Sequence, residues 1–204
     1  NCTHCRRRGG GGTAVFETRL ELDLAKTHLV NHPPTQGTLG IQGAMVIRSG
    51  DPHRSTLYHR MARLGPGRMP RIGSNAVDVR GLQLMREWIT AMPASGPEPV
   101  ATAQTDTLKE FQSGKISALN TLMAKPEHAA FLADALENED PEQLNIRAAR
   151  SFAAKATDPN IRDLFRRYNP QQTDERLGAT PDPAAILTLT GQVARGKQVF
   201  FRNT

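Results

Sequence analysis

The sequence predicts a mainly α-helical protein whose first part also contains Gly-rich loops. Apolar residues recur at spacings of three and four from about residue 52 onward, which is typical of amphipathic helices. Glycine and proline interrupt the first 50 residues, and only a brief stretch around Phe16 alternates as a strand would. A hydrophobic content of 38% with 23% charged residues fits a globular chain rather than a disordered one. No run of about 18 apolar residues exists, so we expect no membrane span.

Residues 1–50 are predicted to be irregular, because the glycine run at 9–12 cannot sustain a helix. The pattern changes at Asp51 and Pro52, a good N-cap followed by a good first helical residue. Apolar residues then follow at helical spacing, which predicts an amphipathic helix over 52–64.

A second helix is predicted over about 78–92, and the loop 65–73 between the two helices carries Met69 at its centre. His53 and His59 lie six residues apart in the first helix, on different faces. We therefore expect both histidines to be exposed to solvent.

The second half is predicted to be helical almost throughout. One pattern begins at Leu108, Pro126 opens the next helix, and Asp-Pro pairs at 140–141 and 158–159 open two more. Short helices that each begin at a proline or an Asp-Pro pair are typical of α-solenoid repeats, in which they stack in antiparallel pairs. The polar stretch 170–183 precedes a last predicted helix over 183–201.

Charge and aromatic content divide the chain near its middle. Residues 1–95 contain 13 lysines and arginines against 6 acidic residues, whereas residues 96–204 contain 13 against 14. The first part has only Phe16, Tyr58 and Trp88 as aromatics, so it is either loosely packed or packed around something other than its own side chains. A Pro- and Gly-rich stretch separates the parts. The predicted segments are 1–93, a linker at 94–100, 101–170 and 171–204.

Cys2 and Cys5 are the only cysteines and form a C-x-x-C motif, which can bind a metal, form a redox disulfide or attach haem. A thioredoxin-like site needs a helix after the pair, and the Arg- and Gly-rich stretch that follows disfavours one. A zinc site needs four ligands, which Cys2, Cys5 and His4 with His28 or His32 could supply. Haem attachment normally requires a histidine directly after the second cysteine, and here that residue is Arg6. Met69 is a candidate for the soft second ligand of such a haem.

Four stretches together resemble one family: residues 1–12, 34–43, 49–58 and 67–70, which read NCTHCRRRGGGG, PTQGTLGIQG, SGDPHRSTLY and GRMP. They resemble the c-type cytochrome domains of large secreted bacterial multidomain haem proteins. Residues 100–170 look like the HEAT-type helices of those proteins, and 181–201 resemble the helix before a further haem motif.

This resemblance implies a cytochrome-c-like domain lacking its first helix, a HEAT-like helical spacer and the start of a second cytochrome-c-like domain. It also implies thioether bonds to haem c from Cys2 and Cys5, Met69 as an axial iron ligand, and electron transfer to a partner protein in the periplasm or outside the cell. The chain itself is then not an enzyme but an electron-transfer part of a larger oxidoreductase-like protein. The start at Asn1 without an initiator methionine fits the expectation of a fragment.

The chain departs from this family at position 6. Arg6 cannot ligate iron, because its guanidinium stays protonated. We therefore separate the family resemblance from haem binding, which we expect Arg6 to prevent. The Arg-rich first part favours an acidic redox partner.

Three other functions compete with electron transfer: an interaction or spacer module, nucleic-acid binding and hydrolysis. The alternative is a helical interaction or spacer module with a degenerate haem or zinc site. Nucleic-acid binding is disfavoured because no aromatics are interleaved with the basic residues, and hydrolase chemistry because no nucleophile turn is present.

Overall fold

The described part of the chain is mainly α-helical, which confirms the mainly α class that the sequence predicted. The computed structural model describes residues 5–7, 10, 12, 15–71, 76–139, 143–168, 184, 188 and 190–202. Its α-helices are α1 (Thr56–Ala62), α2 (Val79–Thr90), α3 (Val100–Gln112), α4 (Leu119–Leu122), α5 (Pro126–Ala135), α6 (Leu144–Ala154), α7 (Pro159–Phe165) and α8 (Val193–Arg202). Strand-like pairing within these residues is limited to three isolated bridges. None of the helices described is long and apolar enough to cross a membrane.

The single helix predicted over 52–64 is divided in two. A 3₁₀ turn covers Pro52–Arg54, and α1 begins after Ser55, whose backbone is extended. Asp51 caps the turn as predicted, with its carboxylate accepting the N–H of His53 at 3.1 Å. Ser55 is held out of the helix because its hydroxyl accepts the N–H of Arg48 and donates to the carbonyl of Asp51, both at 2.9 Å.

The remaining helices agree with the predicted pattern except at their ends. Asp158 accepts the N–H of Asn160 at 2.8 Å and caps α7, as its Asp-Pro pair predicted. Helix α3 begins at Val100, eight residues before the predicted start, because only its two ends bury apolar side chains and its middle lacks periodicity. The Asp-Pro pair at 140–141 lies outside the described residues. Residues 190–192 are not helical, so a continuous helix over 183–201 was wrong.

The first part and the later helices share one hydrophobic core. Ile47, Tyr58 and Leu82 belong to the same buried cluster as Phe111 and Leu132. The scarcity of aromatics in the first part therefore has a physical explanation, since that part packs around the helices that follow it.

The segment predicted as a linker, 94–100, lies within one compact unit that extends from Asn1 to Asn169. Gly50 has a φ of +76°, and a Cβ there would lie 2.6 Å from the Cα of Ala94, so only glycine permits this approach. The guanidinium of Arg48 also donates to the carbonyl of Ser95 at 3.1 Å. A second compact unit comprises Pro170–Thr204.

Because the first part and the later helices share one core, we expect them to unfold cooperatively. Leu132 in α5 is fully buried, so we expect Leu132→Ala to lower the free energy of unfolding by about 2–5 kcal/mol. Because Trp88 in α2 belongs to the same compact unit, the unfolding transition followed by Trp88 fluorescence should shift with the helical signal in circular dichroism.

Leu144→Ala is the matched control, because Leu144 is 76% exposed and its truncation should change the free energy of unfolding by at most about 0.5 kcal/mol. A Trp88 transition that stays in place while the helical signal shifts would contradict the shared core.

Candidate functional site

Of the predicted haem-anchoring segment 1–12, the structure describes residues 5–7, 10 and 12, so Cys2 lies outside the described residues. Cys5 is an exposed free thiol. Its carbonyl accepts the N–H of Gly12 at 3.0 Å, and the carbonyl of Arg6 accepts the N–H of Thr18 at 2.9 Å. These bonds fold the segment back on the chain that follows it.

Arg6 occupies the position where the family resemblance implies a proximal histidine. Its guanidinium lies over the ring of Phe16, with its central carbon 4.9 Å from the ring centroid, a cation–π arrangement. The Nη1 atom is buried and has no hydrogen-bond partner among the described residues. The charge of this side chain also affects the pKa of Arg60. Burial lowers the pKa of Arg60, and the positive charges of Arg63 and Arg6 lower it further.

Met69 is half-buried in the loop after α1, as the sequence predicted for its position between two helices. Its N–H donates to the carbonyl of Arg60 at 2.7 Å. The guanidinium of Arg60 donates to the carbonyls of Gly67 at 3.1 Å and Gln36 at 2.8 Å. Arg60 thus fixes the loop that carries Met69, and the positive charge of Arg6 acts on the same arginine.

The residues present at position 6 do not fit a haem with histidine and methionine ligands. A guanidinium offers no lone pair to iron. It also places a positive charge beside Arg60, where a ligated histidine would be neutral. The chain therefore offers no iron ligand at position 6.

The zinc alternative has part of its predicted ligand set in the structure. His28 and His32 are both exposed and lie edge to face, with ring centroids 5.0 Å apart. Cys2 and His4 lie outside the described residues. Among the residues that are described, no group of three or more histidine, cysteine, aspartate or glutamate side chains could hold a metal ion.

A buried polar cluster that the sequence did not predict lies between the 3₁₀ turn, α1 and α5. The Oδ2 atom of Asp134 accepts hydrogen bonds from the hydroxyl of Tyr58 at 2.6 Å and from Nε2 of His53 at 2.9 Å. Burial by itself would raise the pKa of Asp134, but the hydrogen bonds and charges of His53, Tyr58 and Arg167 outweigh burial and lower it. Asp134 is therefore a carboxylate, and His53 must carry its proton on Nε2 to donate.

The prediction that His53 and His59 are exposed to solvent was wrong. His53 and His59 are 3% and 1% exposed, because α5 covers the segment that was expected to face solvent. Nε2 of His59 bonds to the carbonyl of His53 at 2.9 Å, and burial lowers the pKa of His59 to about 4. The available sequence signal was Asp134, an acid in the second half of the Ala-rich helix α5, which also contains Glu127 in its first turn.

Three charged residues surround the outer side of Asp134. Arg167 is almost fully buried, with one nitrogen 4.0 Å from Asp134 Oδ1 and 3.2 Å from Glu137. Arg86 on α2 is one-third exposed and lies 3.8 Å from Asp134 Oδ2. Burial also raises the pKa of Glu137, while Arg167 opposes that change.

A cavity of about 510 Å³ opens beside this cluster. His53 and Asp134 line it together with Arg86, and Pro52, Met92 and Phe131 contribute apolar walls. Two atoms of the lining residues, His53 Nδ1 and Asp134 Oδ1, are buried without a hydrogen-bond partner among the described residues.

Comparison with known protein families, with curated proteins and with solved structures gives no match for this chain.

We expect Tyr58→Phe and Tyr168→Phe to lower the free energy of unfolding by different amounts, although each removes one hydroxyl group. Tyr58 donates to a buried carboxylate, whereas Tyr168 donates to the neutral carbonyl of Ala133 at 2.7 Å. Hydrogen bonds to charged groups are stronger, so Tyr58→Phe should cost about 1.5–3 kcal/mol and Tyr168→Phe about 0.5–1.5 kcal/mol in denaturant unfolding. Equal losses would show that Asp134 does not depend on Tyr58.

Because His59 is buried and its pKa is lowered, we expect the free energy of unfolding to depend on pH. Its pKa is about 4 in the folded chain and near 6.5 when unfolded, so the unfolded state binds more protons between these values. The free energy of unfolding should therefore fall by about 2 kcal/mol between pH 7 and pH 5 on account of this residue. His59→Gln keeps an N–H donor and removes the titration, so its stability should fall less over the same range. Parallel pH profiles would refute this assignment.

Proposed function

We propose that residues 1–93 derive from a haem-c electron-transfer domain in which Arg6 has removed the capacity to bind haem. Electron transfer is the activity of the ancestral domain. The present chain then contributes a helical structural module to a larger oxidoreductase-like protein, in the periplasm or outside the cell.

The observation that carries this proposal is the convergence on Arg60. The loop of Met69 is hydrogen-bonded to this arginine, and the positive charge of Arg6 lowers the pKa of the same arginine, although 63 residues separate Arg6 from Met69. Axial ligands of one iron must come from segments that meet in this way. Arg6 itself has an unpartnered nitrogen beside a second cation, which a neutral imidazole at that position would relieve.

Partner binding follows from the charge of the first part. Arg7, Arg71 and Arg80 are exposed, and an acidic protein surface would be attracted to them. The later helices support a spacer role rather than a separate groove, because their apolar faces are used to complete the core of the first part.

Reversal of the change at position 6 tests the proposal. When the chain is expressed in cells with haem-c maturation, Arg6→His should gain a covalent haem, visible by absorbance and by a mass increase of one haem. The native chain should gain none, because maturation needs a histidine after the second cysteine. Arg7→His is the matched control, since it adds the same side chain one residue away and should remain without haem.

Met69 is tested in the Arg6→His background. Met69→Leu conserves side-chain volume and should abolish the sulfur-to-iron absorption band of the oxidised protein while leaving haem attached. Met61→Leu, a half-buried methionine on α1, should leave that band unchanged. Covalent haem in the native chain, or its absence from a folded Arg6→His variant, would overturn the proposal.

A further inference from the structure

We propose that His28 and His32 together form a surface site for a divalent transition-metal ion, which binds Cu²⁺ more tightly than Ni²⁺ or Zn²⁺. The two imidazoles supply the protein ligands, and water completes the coordination. This inference is independent of the haem ancestry and requires none of Cys2, His4 and Cys5.

The first observation is that both imidazoles have ring nitrogens available to a ligand. His28 and His32 are exposed, and their rings contact each other edge to face with centroids 5.0 Å apart. Elsewhere in the described part of the chain, His53, His59 and His128 each have a ring nitrogen bonded to a carboxylate or a carbonyl. The nitrogens of His28 and His32 have no such partner among the described residues, so an ion displaces only water from them.

The second observation is a bend in the backbone that brings the two side chains together. In an extended strand, residues four apart are about 13 Å from each other. His28 and Asn31 both have left-handed backbone, with φ of +55° and +56°. These two residues turn the chain, so that the rings of His28 and His32 meet although four positions separate them.

Hydrogen bonds to a neighbouring segment hold this bend in place. Ile47 donates its N–H to the carbonyl of Leu29 at 3.0 Å and accepts the N–H of Asn31 at 2.7 Å. Val46 donates to the carbonyl of His32 at 2.8 Å. Leu29 is buried in the hydrophobic core between the two histidines, which anchors the segment further. The backbone is therefore ordered before an ion binds, and little further entropy is lost on binding.

The separation of the rings fits two imidazoles on one ion. Imidazole nitrogens bind such ions at about 2.0–2.1 Å, and each ring centre lies about 1.1 Å behind its nitrogen. With about 90–110° between the two bonds, the ring centres are about 4.5–5.2 Å apart. The observed 5.0 Å lies within this range. Rotation about χ2 turns the nitrogens toward a shared ion while the ring centres stay in place, and this torsion is soft in histidine.

The ligand type selects the class of metal. Imidazole suits Cu²⁺, Ni²⁺ and Zn²⁺, whereas Mg²⁺ and Ca²⁺ prefer carboxylate and carbonyl oxygens. Among the described residues no third histidine, cysteine or acidic side chain completes the set, so the other positions are filled by water. With only two protein ligands and no imposed geometry, the affinity follows the intrinsic order, in which Cu²⁺ binds most tightly.

The test is a calorimetric titration of the full chain with Cu²⁺, Ni²⁺, Zn²⁺ and Mg²⁺. The chain carries Cys2→Ser and Cys5→Ser, because free thiolates bind the same transition metals. We expect a single saturable site that is tightest for Cu²⁺, and no binding of Mg²⁺. With diamagnetic Zn²⁺, the imidazole resonances of His28 and His32 should shift together. Absence of saturable binding, or binding of Mg²⁺ as tight as that of Cu²⁺, would overturn the proposal.

Removal of either imidazole should weaken the binding of Cu²⁺ about a hundredfold, because the second bond to one ion is intramolecular and is lost with either ligand. The variants are His28→Asn and His32→Gln. Asparagine is chosen at position 28 because it tolerates the left-handed backbone there. Unchanged affinity in both variants would refute the site.

His128→Gln is the matched control, because His128 is half-buried and its Nδ1 already bonds to the carbonyl of Thr121 at 3.1 Å. His4→Gln tests the ligand set that the sequence predicted for zinc. Neither change should alter the affinity for Cu²⁺. Weakening by His128→Gln or His4→Gln equal to that by His32→Gln would place the ion elsewhere and refute the pair. Far-ultraviolet circular dichroism of each variant confirms that lost affinity does not come from unfolding.

Discussion

The buried carboxylate of Asp134 is the interaction on which the packing of this molecule depends. It lies on α5 and accepts from Tyr58 of α1 and from His53 of the preceding turn, so it joins segments that are about 80 residues apart. An unpaired buried charge costs several kcal/mol, and loss of one partner from a buried pair typically costs 3–5 kcal/mol. The carboxylate therefore requires both donors to remain in place, and this requirement holds α5 against the first part of the chain.

A second buried ion pair explains why the first part needs its arginines. Arg63, at the end of α1, bonds to Asp163 of α7 at 2.8 Å and to Asn160 at 2.9 Å. Arg48 is also buried and bonds to the carbonyls of Gly43 and Ser95. The excess of positive charge in residues 1–95 is therefore not only a solvated or steering surface. Several of these cations tie the Gly-rich loops to one another and to the later helices, where apolar side chains are too few to do so.

Local signals were sufficient for most helices, because caps act over three or four residues. Asp51, Asp158 and Pro126 mark helix starts in the sequence and in the structure. The burial of His53 could not be predicted, since it depends on Asp134, which is distant in sequence. The break at Ser55 depends on hydrogen bonds with Arg48 and Asp51, which no capping pattern in the sequence indicated. A common site for position 6 and Met69 was implied only through the family resemblance. The cavity carried no sequence signal, because its lining comes from four separate segments.

Arg6 differs from Arg63 and Arg167 in the way that its charge is compensated. Arg63 and Arg167 each have a carboxylate within 4 Å, whereas Arg6 has the face of Phe16 and no ion pair within the described residues. A ring face offsets a cation by about 0.5–2 kcal/mol, less than a buried carboxylate does. The positive charge of Arg6 also lowers the pKa of Arg60. The surroundings of position 6 are thus electrostatically suited to a neutral side chain. That is the physical reason for proposing that Arg6 replaced a neutral side chain at this position.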